Sequence, residues 1–308
     1  MRLGGYRSST NVSDQGRGGG GFGGGGGGGG CLFALLPMVM SRFGIGGVLI
    51  LLLGYCALTT LGGGGGLGLG GGETGAGPQQ AQGPSSDPEK VCASDPAKRF
   101  SCQVLASTED TWTKIFAAQG QRYQPAHFSF YTGGGNSGCG AAQAAMGPFY
   151  CPSDNSIYLD TGFYDELQGK FGAAGDFAQA YVIAHEVGHH LQNLSGVLEQ
   201  AQRQQQRASR SEGNAVQVRV ELQADCYAGV YAANAKDAQG QPLLEPGDVE
   251  EGLRAAAAIG DDTLQRKTQG RVVPESFTHG TAAQRQQWLR RGLESGDPAV
   301  CDTFAAGP

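Results

Sequence analysis

His185, Glu186 and His189 stand in one apolar stretch, Asp176 to Gly196, which opens with a capping pattern and closes at a glycine, and so is predicted to form one helix. Residues four apart on a helix share a face one turn up. His185 and His189 can therefore aim imidazole nitrogens at one ion, while Glu186, one step round, reaches a water on that ion without ligating it. Two neutral nitrogen ligands and an open position suit Zn2+, which lowers the pKa of its water to about 7, and Glu186 becomes the general base. A third ligand is still required. The metzincin continuation is absent, because position 192 is Gln192 and position 195 is Ser195. A second predicted helix carries Glu221 and Asp225, four apart on one face. In the glutamate-zincin arrangement the glutamate ligates the metal and the aspartate fixes the tautomer of a ligating histidine. The resulting metal assignment is His185, His189 and Glu221, with Asp225 behind them. His279, in a glycine-flanked loop, is a candidate donor to the transition-state oxyanion, with a structural role as its alternative. His190 is expected to point away from the ion and His127 to be a strand residue with a local hydrogen bond.

The elements that must position these groups make an α+β pattern, mainly helical with a small sheet, as in a zincin-like peptidase domain. A first helix is predicted from a Ser107 cap, with Asp110 at its third position, to Gly120. Short strands are predicted over 127–131 and 156–160, and the second, around Tyr158, could add an extended peptide substrate to its edge. Downstream, capping boxes are expected at Asp176/Gln179, Asn214/Gln217, Asp248/Glu251 and Thr281/Gln284.

The 308 residues divide into unlike parts, since the 55 glycines concentrate near the amino terminus. Residues 1–42 have the composition of a disordered cytoplasmic tail. Residues 43–61 carry no charge and are long enough for a transmembrane helix, with a cleaved signal peptide as the competing reading. Residues 62–88 form a Gly/Pro-rich linker and 89–308 the zinc metallopeptidase domain. Arginines precede the span and no basic residue follows it for many positions, so the positive-inside rule leaves the amino terminus in the cytoplasm and places the domain on the exported side of the inner membrane. The overall charge is -6, and the part after the span, with 18 basic and 27 acidic residues, carries about -9, which excludes a nucleic-acid partner on electrostatic grounds. Six cysteines follow the span without a Cys-x-x-Cys pair, a pattern of disulfides in an oxidising compartment. Short loops favour Cys92–Cys102 and Cys139–Cys151, leaving Cys226 for Cys301, among about fifteen possible pairings.

The chain resembles the bacterial "putative neutral zinc metallopeptidase" family. The resemblance runs through Ser137-Gly138-Cys139-Gly140, Gly147-Pro148-Phe149-Tyr150-Cys151-Pro152, Tyr158-Leu159-Asp160, Ala180 to His190, Glu221 to Cys226 and Ser276 to Thr281. It implies zinc at His185 and His189 and catalysis by Glu186; Glu221 as third ligand rests on spacing. The function expected is a membrane-anchored peptidase acting on a peptide or protein. The alternatives are a zinc hydrolase of a non-protein amide such as cell-wall peptide, and a catalytically idle, zinc-stabilised envelope scaffold. An intact Glu186 argues against the scaffold, because a structural site needs no base.

Overall fold

A computed structural model describes residues 1–18 and 84–305, which belong to one compact unit. The proposed span at 43–61, most of the tail and most of the linker lie outside the described residues. No helix among those described is long and apolar enough to cross a membrane.

The order of elements is β1 (Val12–Arg17), α1 (Pro88–Ala93), α2 (Pro96–Ala118), β2 (His127–Thr132), β3 (Gly134–Ser137), β4 (Gly140–Gln143), β5 (Phe149–Cys151), β6 (Ser156–Asp160), α3 (Gly162–Gly169), α4 (Asp176–Leu194), α5 (Val197–Gln205), α6 (Arg210–Asn234), α7 (Asp248–Ala258), α8 (Asp261–Gln269) and α9 (Ala282–Ser295). The α+β expectation is met, with helices dominating. Strands β1, β2 and β6 run parallel, β5 lies antiparallel on the far side of β6, and the β3–β4 hairpin extends the end of β2. Alternation along β2 and β6 explains their two faces. Phe128, Phe130, Ile157 and Leu159 enter the main core, whereas Tyr131 and Tyr158 form a smaller cluster with Ala142 and Cys151.

Four local expectations are corrected. The first helix starts at Pro96 behind an Asp95 cap, and Ser107 lies inside it, buried, sharing a 2.5 Å hydrogen bond with the Tyr231 hydroxyl. A serine that satisfies itself on a neighbouring helix looks, in sequence, like a serine that caps its own. Helix α6 starts at Arg210 through a Ser209/Glu212 capping box, upstream of Asn214. Asp176 and Asp248 are the first residues inside their helices, with Gly175 and Gly247 at the cap positions; Thr281/Gln284 does form its box. The fourth correction is the largest: residues 1–18 are no disordered tail. Met1, Leu3 and Val12 are buried in the core, β1 pairs with β2 in register Val12 to Phe128, and the Met1 amino group lies 2.6 Å from Asp176. Composition alone misjudged this segment because its apolar residues are few but all face inward.

Three disulfides, Cys92–Cys102, Cys139–Cys151 and Cys226–Cys301, match the pairing favoured by spacing. The last spans 75 residues and fixes α6 to the carboxy-terminal segment, a restraint worth about 4 kcal/mol through the unfolded chain.

Helix α4 is the axis of the domain, buried along nearly its whole length against α2, α6 and α7. A Cβ at Gly188 would sit 2.9 Å from the Ala224 backbone, so α4 and α6 meet there without a side chain between them. A Cβ at Gly292 would lie 2.0 Å from the Cys226 carbonyl oxygen, so α9 presses on α6 more closely still. These two contacts bring the functional side chains of three helices together.

Candidate metal centre

His185 and His189 come from the middle of α4, one turn apart, with ring centroids 4.7 Å from each other. Glu221 reaches them from α6: its Oε2 lies 3.2 Å from His185 Nε2 and 3.6 Å from His189 Nε2. One ligand atom from each residue therefore converges within 4.8 Å of the others.

The atoms that face away from this point are already engaged. His185 Nδ1 donates to Asp225 Oδ1 at 2.8 Å. His189 Nδ1 donates to Gln192 Oε1 at 2.9 Å, and Gln192 is itself fixed by donating to Val220 O and Gln223 Oε1. Gln217 Nε2 donates to Glu221 Oε1 at 2.9 Å. Each imidazole thus has Nδ1 tied to the protein and Nε2 turned to the common point, the tautomer a metal ligand needs. Two imidazoles and one carboxylate around one point fit zinc with a position left open.

The surroundings are strongly acidic for a buried site. Glu186, Glu221 and Asp225 are all buried there, and Arg285 is the buried cation beside them. Burial alone would suppress the charge on His185, yet Asp225 and Glu221 outweigh it and push its imidazole up to about 10. His189 is raised as well, burial again being overcome by Glu221. Such a pocket favours a cation between the histidines and Glu221. Glu186 departs in the opposite sense to Glu221: burial lifts its carboxyl above the ordinary range against the pull of the two histidines. A raised carboxyl is a better base than a surface glutamate.

His185, Glu186, His189, Glu221 and Arg285 line a cavity of about 610 Å³, which His279 also borders. His279 is held in a way the sequence did not disclose. The backbone N–H groups of Thr278, His279 and Gly280 all donate to Asp261 Oδ2, and His279 Nδ1 lies 3.3 Å from Asp261 Oδ1. The Asp261 hydrogen bond raises His279 against partial burial, with Glu221 adding to the effect.

Sequence reasoning also missed Gln192, Gln217, Tyr181 and Arg285. Arg285, on α9, is 2 % exposed and grips Asp225 through Nε at 2.8 Å and Nη2 at 2.9 Å, while the Tyr181 hydroxyl donates to the same carboxylate. Of these, Tyr181 carried a signal, since it stands one turn before His185 on the same face. Arg285 carried none, lying 60 residues from its partner. His190 points away, between the Tyr150 hydroxyl and Gln124 O, as expected; His127 is a strand residue as expected, but its hydrogen bond is to Ser13 on β1, 114 residues away, and not to a local partner. Tyr158 does not offer an edge: β6 is enclosed by β2 and β5, and the strand bordering the cavity is β5, through Phe149 and Tyr150.

Similarity to other proteins agrees with this geometry. The chain is 54% identical over 210 residues to the uncharacterized protein YpfJ of Escherichia coli K12, covering 68% of this chain and 72% of that protein. It is 46% identical over 222 residues to the uncharacterized protein Rv2575 of Mycobacterium tuberculosis, covering 68% and 73% respectively. No solved structure matches the chain significantly. The family model described as "Putative neutral zinc metallopeptidase" matches residues 1–304, and the chain belongs to that family.

Proposed function

We propose that the chain is a zinc-dependent peptidase of zincin-like build, acting on extended peptides in an oxidising compartment outside the cytoplasm. The observation that carries this reading is the buried, raised carboxyl of Glu186 in the same cavity as the His185, His189 and Glu221 set. A site that only stabilised a fold would gain nothing from burying an extra carboxylate there. Zinc, when bound, would supply Lewis acidity to polarise a carbonyl and to lower the pKa of water.

The chain's own residues account for the rest. Glu186 takes a proton from the attacking water and passes it to the leaving amine. His279, protonated and steadied by Asp261, donates a hydrogen bond to the developing oxyanion. The free side of β5 pairs with the substrate backbone, so that β-augmentation aligns the scissile bond beside Glu186. The acidity of the domain opposes nucleic acid as a partner, and the three disulfides support export.

The reading is tested by metal analysis joined to cleavage of a peptide library. About one zinc per chain is expected, with cleavage that stops on chelation and returns with zinc. His189→Ala should lose most of the metal while folding normally by circular dichroism; full zinc occupancy in that variant would remove His189 from the ligand set. Cleavage of wall fragments with no cleavage of any peptide would favour the non-protein amide alternative.

The Asp261–His279 pair gives a pH signature. His279 acts as donor in its protonated form, so activity is lost as pH rises through its raised pKa. Asp261→Asn removes the largest raising influence and should move the alkaline limb of kcat/KM to lower pH while the acid limb, set by Glu186, stays in place. An alkaline limb that does not move would exclude this role for His279.

A further inference from the structure

The amino-terminal segment is joined to the sheet by contacts of several kinds. Phe128 N donates to Asn11 O at 2.8 Å, and the β1–β2 ladder continues through Ser13 and Asp14. Glu109, 6 % exposed on α2, accepts from Ser9 Oγ, Asn11 Nδ2 and Arg7 Nη2 at 2.6, 2.8 and 2.9 Å. Arg7 also binds Asp110 at 2.6 Å. Asp14 is buried and paired with Lys98 at 2.6 Å. Without the segment, Glu109 and Lys98 would lose these partners and Phe128 N its backbone acceptor, and buried groups left so are costly.

Between this strand and the next described residue stands the uncharged run 43–61. A single crossing there would leave β1 and β2 on opposite sides of a hydrocarbon layer about 30 Å thick, where strand pairing is impossible. We infer that residues 1–17 are a working strand of the peptidase domain and lie on the same side of any membrane as the His185–Glu186–His189 cavity.

The arginine count drew on Arg2, Arg7, Arg17 and Arg42, all ahead of the span. Of these, Arg7 is neutralised by Glu109 and Asp110, and Arg2 lies 3.9 Å from Glu245. Arginines neutralised within a folded domain have little pull on orientation. The domain's acidity supplies partners for Arg2 and Arg7, so that part of the charge asymmetry is complementarity within one fold.

The test uses the full chain with Cys31 and Cys56 replaced by serine, the other six cysteines being paired. Ser8→Cys and Gln239→Cys, both at exposed positions, serve as separate reporters. In sealed spheroplasts treated with a membrane-impermeant maleimide, both should label to the same extent, and lysis should change both alike. Labelling of one with protection of the other would overturn the inference. A second arm tests docking in the detergent-purified full chain. Arg7→Glu should lower the Tm by several degrees, and adding Asp110→Arg should restore part of that loss. Additive losses, or no effect of Arg7→Glu, would show that the segment does not dock.

Discussion

Glu186→Gln should leave zinc bound at one per chain and lower kcat by about 10³-fold, within the usual contribution of a positioned general base. The amide preserves the shape of the carboxylate and cannot take a proton from water. Its neighbours predict no loss of metal, because Glu186 is outside the converging set of His185, His189 and Glu221. Removal of a buried carboxyl that burial already disfavours should leave the melting temperature unchanged or raised. The pH profile supplies a further check: wild-type activity should fall on the acid side as Glu186 protonates above the ordinary carboxylate range. Parent-rate cleavage by the variant would take the base role away from Glu186 and leave the site without an identified proton acceptor.

Arg285→Met should be among the most damaging substitutions outside the ligand set, at a cost of roughly 3–5 kcal/mol, the usual effect of stranding one member of a buried ion pair. Asp225 is fully buried, and burial opposes its charge; Arg285 first, then His185, overcome that opposition and hold its carboxyl at about 2. A depressed pKa contributes stability above the unfolded value, near 4, and that contribution is lost as pH falls toward 2. The stability gap between parent and variant should therefore be full at neutral pH and narrow in acid, where Asp225 protonates. Zinc affinity should drop with it, since Asp225 would no longer be confined to orienting His185 Nδ1. Arg285→Lys, which keeps the charge but not the two-pronged grip, should recover part of the stability and less of the affinity. An Arg285→Met protein with parent stability and zinc affinity would mean that Asp225 finds another partner.

The reactive residues were legible because their chemistry fixes their spacing. His185, Glu186 and His189 act from one helix turn, and Glu221 with Asp225 from another, so that short sequence patterns capture both. What escaped depends on contacts between distant segments. Arg285 meets Asp225 across 60 residues, and Asp261 builds the His279 loop from 18 residues away through backbone N–H groups that any residue possesses. Strands 127–131 and 156–160 were visible from alternation, but their order in the sheet was not, and the substrate edge was assigned to β6 when β5 covers it. The amino-terminal strand failed for a different reason. Glycine-rich composition downstream of residue 18 set the expectation for the whole segment, although Met1, Leu3 and Val12 are buried and β1 pairs with β2.

The glycine seams at Gly188 and Gly292 bear on how the centre behaves when warmed. Where helices touch through backbone atoms, separation is set by van der Waals contact between those atoms, and no rotamer can relax to admit intermediate spacings. Glu221 cannot drift from His185 by degrees; α6 either lies against α4 or has parted from it. The metal affinity of such a centre is close to a step function of temperature: steady through the range in which the domain stands, then gone within the same narrow interval as the fold itself.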